Sequence, residues 1–526
     1  MKHRVSGYLR HYGPLLVSIT LLVLMTGLMP VQVRPETRDV QLAGADTARQ
    51  LVKQADKLVR KGLLDEAEKL LKRAIEIAGD NSLPKLRLAA LYVKQRRLLD
   101  AYELAFPVAK AEPKNAYAIA ILGSTMLGAG RFEDAKLLFY TSIKLNRRQG
   151  YAWAGYGLLD FYENRITQSL DNLHQAVFHE PNQPDYYFAL AQVSARAERY
   201  KEAADAYNRF LALSRDTDDE RRARIKGLIN FLNYLGGRDE LYVTTGAEKT
   251  KVPISVVGNR PVIQVKVNGD EQPLNFVLDT GSGISVISEE TAKRLDIEPI
   301  TKGGYAKGIG GEGKFEIVYG FLRQVRIGDV GVRNVPVYIR RFHSDGNHAD
   351  GYIGLSLISK FLTTLDYGEK TFALSKEPQI PVPESAESMA LPLRLTSSGF
   401  LSGEVQVGGV ENSLNFIVDT GASISVISDD VAAMESIIPF ANTERMRVIG
   451  SAGVTEGVKS FQLPSVTFGK HSRKDVTAIA LDLDMINEAS GFEQAGILGG
   501  NFLMNYRLTF DFKNSKVTFF PLAVRQ

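Results

Sequence analysis

The chain has 526 residues, 44% of them hydrophobic and 24% charged, with 64 Lys and Arg against 60 Asp and Glu, a formal net charge of +4. That composition is globular, the length calls for about three domains, and so slight a basic excess, without a long basic run interleaved with aromatics, excludes nucleic acid as a partner. The absence of cysteine removes disulfides, thiolate metal sites and cysteine nucleophiles, while the lack of HExxH, GxSxG and GxxxxGK[ST] patterns argues against zinc, serine-hydrolase and nucleotide chemistry and leaves no metal or cofactor expected.

At the N-terminus, Lys2, Arg4 and Arg10 precede an uncharged, largely apolar stretch over residues 12–33. That is about the length a helix needs to cross a bilayer. A cleaved signal peptide would need a small-x-small site just after the apolar run, and Ala43 and Ala45 lie too far downstream. Residues 1–34 are therefore expected to be a cytoplasmic tip and a transmembrane signal anchor. The expected location is the inner membrane, single-pass, with the bulk of the chain in the periplasm or outside.

Residues 46–240 follow with a helical period and a fixed repeat. Ala67, Ala101, Ala135, Ser169 and Ala203 are each 34 apart, and twelve residues before each stands another small residue: Ala55, Ala89, Gly123, Gly157 and Ala191. Four residues after the second small position come Leu71, Phe139, Leu173 and Tyr207, with Ala105 in the second copy. Small residues at two fixed positions let paired helices approach closely and stack on the next pair. The pattern resembles the tetratricopeptide repeat (TPR), in five copies, with 217–236 as a capping helix. The resemblance implies a protein partner on a concave face; a spacer or platform role is the alternative.

After about residue 245 the texture becomes β, with short alternating runs broken by turn signals. Residues 275–288 read NFVLDTGSGISVIS, and 415–428 read NFIVDTGASISVIS. The duplication extends further: Asp279 and Asp419 are each followed 31 residues on by a glycine in a glycine-rich segment, Gly310 and Gly450. Next come Gly354 and Gly499, closing hydrophobic-hydrophobic-Gly motifs, and twelve residues later Asp366 and Asp511. Lobe 1 is expected over 250–378, a proline-rich linker over 379–390, and lobe 2 over 391–526.

Two such lobes resemble the retropepsin-like aspartic proteases, here in tandem in one chain and of bacterial type. The fold class expected for the whole is a transmembrane helix, an all-α TPR solenoid, and an all-β two-lobed retropepsin/pepsin-like protease. The resemblance implies that Asp279 and Asp419 form one catalytic dyad, because two adjacent carboxylates share a proton and divide base and acid roles between them. It implies that Thr280 and Thr420 cross-link the loops, that Gly281 and Gly421 permit the turn, and that Gly308, Gly310, Gly311, Gly313, Gly450 and Gly453 belong to flaps closing over a peptide. At the next position the lobes differ, Ser282 against Ala422, which suggests Asp279 as the more ionised partner. Ser356 and Asn501 stand where many family members carry aspartate. The reading is a membrane-anchored aspartic endopeptidase acting on a peptide or protein substrate. A noncatalytic peptide-binding scaffold, or lobes pairing between two chains, are the alternatives.

Overall fold

The computed structural model describes residues 35–214, 219–311, 313–343, 349–376 and 388–522. The chain divides into two compact units, one running to Phe161 and including Ile166–Arg222, the other comprising Tyr162–Arg165 and everything from Ala223 onward.

In the first unit, helices come in pairs joined by short turns. The second helices of the pairs, Leu64–Ile77, Leu98–Ala111, Phe132–Leu145, Ile166–His179 and Tyr200–Leu213, begin 34 residues apart. Two residues before each start, the chain enters the left-handed region at Gly62, Arg96, Gly130, Asn164 and Glu198. Such a residue ends one helix sharply and aims the next back along it. Glycine and asparagine accept that conformation readily, whereas arginine and glutamate do so at a cost of roughly 1–2 kcal/mol.

The small residues do what their spacing predicts. Ala55, Ala67, Ala89, Ala101, Ala135, Ala191, Ala203 and Ser169 are completely buried. A Cβ at Gly123 would lie 2.8 Å from the Phe139 ring, and one at Gly157 would lie 2.8 Å from the Leu173 side chain. A large residue on the second helix thus fills the space that a small one leaves on the first. Ser169 also donates its hydroxyl to the Gly157 carbonyl at 2.6 Å, so a polar residue fits this core without an orphaned group.

The expected membrane helix requires a correction, in fold class and in localisation. Among the described residues no helix is long and apolar enough to cross a membrane. The longest near the N-terminus, Pro35–Lys61, carries charges throughout, among them Asp39, Arg49, Lys53, Asp56 and Lys57, which a bilayer core would not accept. Residues 12–33, on which the expectation rested, lie outside the described residues. The architecture is a TPR-like helical region followed by β-rich protease-like lobes.

In the second unit, three sheets form among the described residues. Lobe 1 has a nine-stranded sheet and lobe 2 an eight-stranded one, built on the same plan. In each, the strand before the aspartate lies parallel to a short later strand: Leu274–Leu278 beside Gly351–Ile353, and Leu414–Val418 beside Gly496–Leu498. Apart from Asn275 and Asn415, the residues of the two strands before the aspartates are apolar and buried, as strands covered on both faces are. The third sheet, of six strands, joins the lobes. Its central pairing sets Leu362–Asp366 antiparallel to Tyr506–Asp511, with Thr364 opposite Thr509. Met389–Pro392 pairs with Lys516–Pro521 in the same sheet, so residues 389 and 390 are strand; residues 377–387 of the connection lie outside the described residues. The helix Asp219–Gly236 belongs to this unit from Ala223 onward, where Phe231 stacks on Tyr319 with ring centroids 4.3 Å apart.

Candidate active site

Each aspartate stands at the end of an apolar strand, where the chain turns away from the sheet. Asp279 donates its amide to the Ile353 carbonyl and Asp419 its amide to the Leu498 carbonyl, both at 3.0 Å. The parallel neighbour strands therefore fix where each carboxyl begins. Ser285 and Ser425 brace these strands alike, each hydroxyl accepting a bond of 3.1 Å, from Gly354 N–H and Gly499 N–H respectively.

The threonines lock one loop to the other. Thr280 donates its hydroxyl to the Val418 carbonyl and Thr420 to the Leu278 carbonyl, each at 2.7 Å. Each hydroxyl also accepts from the other threonine's amide, at 3.2 and 3.0 Å. All four bonds are buried, in surroundings where an unmade bond is costly. Within one chain, this crossing brings Asp279 and Asp419 together.

The glycines after the threonines make room for the pair. Gly281 donates to Asp279 Oδ1 at 2.9 Å, and Gly421 to Asp419 Oδ1 at 2.7 Å. A side chain on Gly281 would run into the Asp419 carboxyl, and one on Gly421 would come within 2.7 Å of the Asp279 carboxyl.

Burial and mutual contact couple the two carboxyls. Burial, the Asp419 charge and a hydrogen bond to Asp419 push the Asp279 pKa well above the usual carboxylate range. Burial raises Asp419 as well, but the bond from Asp279 and backbone donors at Gly421, Ala422 and Gly281 pull it back. Both carboxyls are raised by burial, so the pair titrates as a unit and holds a shared proton. The Ser282 hydroxyl donates to the Ile284 carbonyl at 2.7 Å.

The two glycine-rich hairpins meet tip to tip. Ala452 donates to the Ile309 carbonyl at 2.8 Å, Gly311 to the Val454 carbonyl at 3.3 Å, and Ile309 to the Ser451 hydroxyl at 3.1 Å. The first hairpin is closed by Gly308 donating to the Gly313 carbonyl. Gly310, Gly311, Gly313 and Gly453 all have positive φ, and Gly450 packs against the Ile309 carbonyl. Both glycine segments therefore form hairpins in contact with each other.

The later motifs support the loops. Asn501 accepts from the Ser425 amide and hydroxyl at 2.9 and 2.8 Å and donates to the Thr477 carbonyl at 2.8 Å, whereas the buried Ser356 hydroxyl has no such partner among the described residues. Asp366 and Asp511 accept backbone amides in tight turns. Sequence reasoning missed three residues near the dyad: Arg340, whose charge acts on Asp279; Tyr352, on the strand beside Asp279; and Ser451 at the second hairpin tip. Arg340 sits in RRFH at a strand end, a run that reads as solvated surface, and nothing local distinguished it. Among the described residues no cluster of His, Asp and Glu suited to a metal was found.

Residues 263–357 and 403–502 each match the family model described as aspartyl protease, so the match falls on both lobes in tandem. Over 142 residues the chain is 25% identical to anaphase-promoting complex subunit 3 of Schizosaccharomyces pombe, covering 27% of this chain and 21% of that protein, about a fifth of the relative's length. Among solved structures it is similar to a thermophilic TPR protein of Thermus thermophilus, with 20% identity, a TM-score of 0.30, and coverage of 35% of this chain and 98% of that one. It is also similar to the aspartic proteinase of Irpex lacteus, with 15% identity, a TM-score of 0.37, and coverage of 52% and 98%.

Proposed function

We propose that the chain is an aspartic-type endopeptidase whose single dyad is Asp279 and Asp419, with the helical repeats binding protein. The observation that carries this is the reciprocal threonine lock, which sets two buried carboxyls in hydrogen-bond contact. In this reading a water between the carboxyls gives a proton to ionised Asp419, and its oxygen attacks the scissile carbonyl carbon. Protonated Asp279 gives its proton to the carbonyl oxygen, forming a neutral tetrahedral diol. Collapse returns a diol proton to Asp279, while Asp419 passes its proton to the leaving nitrogen. The carboxylic acid and the amine separate, and the dyad is again singly protonated. The hairpins hold the peptide extended and exclude bulk water, which strengthens every electrostatic interaction inside.

The test is cleavage of an unbiased peptide library by the full chain from pH 3 to 8, beside Asp279→Asn and Asp419→Asn. Loss of cleavage in both variants supports one shared dyad. A folded chain that binds peptides but cuts none at any pH would replace the peptidase reading with a noncatalytic peptide-binding protein.

A further inference from the structure

Because the lobes are duplicates, the strand register assigns each cleft residue of one lobe a counterpart in the other. In lobe 1, Ser288 lies opposite Arg340 and Val286 opposite Tyr352. In lobe 2, the matching serine and valine, Ser428 and Val426, lie opposite Leu481 and Ile497. At these matched register positions lobe 1 therefore carries a cation and a phenol where lobe 2 carries two aliphatic side chains. Ile497 belongs to an apolar cluster with Ile417, Val426 and Ile479, against which Leu481 and the hairpin residue Ile309 pack.

Arg340 lines a cavity between the two hairpins. Its guanidinium lies over the Phe315 ring, 4.3 Å from the centroid, and its Nε is buried without a hydrogen-bond partner among the described residues. Both side chains line this cavity, which has a volume of about 460 Å³ and reaches from the first hairpin to Ala452 at the tip of the second. The two glutamates lining the cavity are already paired, Glu289 with Lys293 at 2.6 Å and Glu316 with Lys302 at 2.8 Å. Arg341 and Lys314 also line it, so its charge balance is positive. A buried arginine on an aromatic face, with a donor to spare, is suited to a planar carboxylate.

We propose that this cavity is a substrate subsite that takes an acidic side chain, aspartate or glutamate, close to the scissile bond, with Arg340 pairing its carboxylate. This assignment rests on the peptidase reading and names its substrate class.

The experiment compares peptides that differ only by Glu against Gln at each position flanking the cleaved bond, using the full chain and its Arg340→Gln and Arg340→Lys variants, with thermal unfolding to verify that each is folded. The wild type is expected to prefer Glu by at least about tenfold in kcat/KM at one position, as a charge-assisted pair requires. Arg340→Gln should bring that ratio close to one, and Arg340→Lys, which keeps the charge but not the planar fork, should keep only part of it. A wild type without an acidic preference, or a preference that survives Arg340→Gln, overturns the proposal. So does an Arg340→Gln variant that moves only the pH profile, since that would make Arg340 a neighbour tuning Asp279 and no more. If the wild type cuts nothing, the peptidase reading fails by itself. Equilibrium binding of the same fluorescein-labelled Glu and Gln peptides then decides the subsite by the same ratio.

Discussion

Thr280 and Thr420 are hydrogen-bonded to each other reciprocally, each hydroxyl accepting the other's amide while donating across the lobe boundary to a strand carbonyl. Removing one hydroxyl leaves a buried carbonyl and a buried amide unmatched. Thr280→Ala is therefore expected to cost roughly 2–6 kcal/mol, at about 1–3 kcal/mol for each orphaned group, whereas Thr280→Ser keeps the oxygen and should lose under about 1 kcal/mol. Urea unfolding of the two variants checks this. Equal losses would place the stabilisation in the methyl group's packing instead.

The dyad predicts the sign of a pH effect. Burial, first, and Asp419, second, raise Asp279 above its ordinary value of 3.8 in the folded chain. Between about pH 4 and that raised value, the folded state holds a proton the unfolded state has released, so stability is present at acid pH and is lost as pH rises through the window. Asp279→Asn removes this penalty. The melting temperature of the variant minus that of the wild type should increase from pH 4 to pH 7, as scanning fluorimetry across that range would show. A flat or falling difference would mean that Asp279 ionises freely when folded. Cleavage by the wild type should fall in the same alkaline direction, since the shared proton is required for catalysis.

The repeats and the paired aspartates were legible in the sequence because both are carried by residue type at fixed spacing. A 34-residue period survives in Ala67 through Ala203 whatever surrounds it, and Asp-Thr-Gly after an apolar strand is local. Features that depend on which group lies across a gap were not legible. The Ser282 hydroxyl could be seen, but its acceptor, the Ile284 carbonyl, could not. Arg340 and Leu481 are 141 positions apart in strands of different composition, and only the pairing with Ser288 and Ser428 shows that they correspond. The membrane expectation came from hydropathy over residues 12–33, where no structural contact enters the reading, and no spanning helix occurs among the described residues.

The hairpin tips predict a loss of turnover without a loss of fold. Gly310 has φ +89, and a Cβ there would collide with the Gly453 carbonyl of the opposing tip. Gly310→Ala should lower kcat/KM about tenfold or more while moving Tm little, because a lid opens separately from the core. Gly457→Ala is the control: its φ of +69 imposes comparable backbone strain, but nothing lies within 4 Å of the new Cβ. If both variants lose activity equally, backbone strain rather than tip contact accounts for the effect.

In the repeat array, Phe139 explains why two neighbouring positions are glycine. Its ring is fully buried and occupies the space that a Cβ on Gly123 or Gly155 would need. Phe139→Ala should destabilise the helical unit by about 3–5 kcal/mol, the usual cost of deleting a buried aromatic ring. Gly155→Ala in the wild type should also destabilise, because the ring has to move. In the Phe139→Ala background the same change meets no ring and gains helix propensity of up to about 1 kcal/mol, so it should become neutral or stabilising. A double-mutant cycle by chemical denaturation measures the difference. A coupling energy near zero would show that Gly155 is set by something other than Phe139, and that the small-against-large rule does not extend beyond the 34-residue positions.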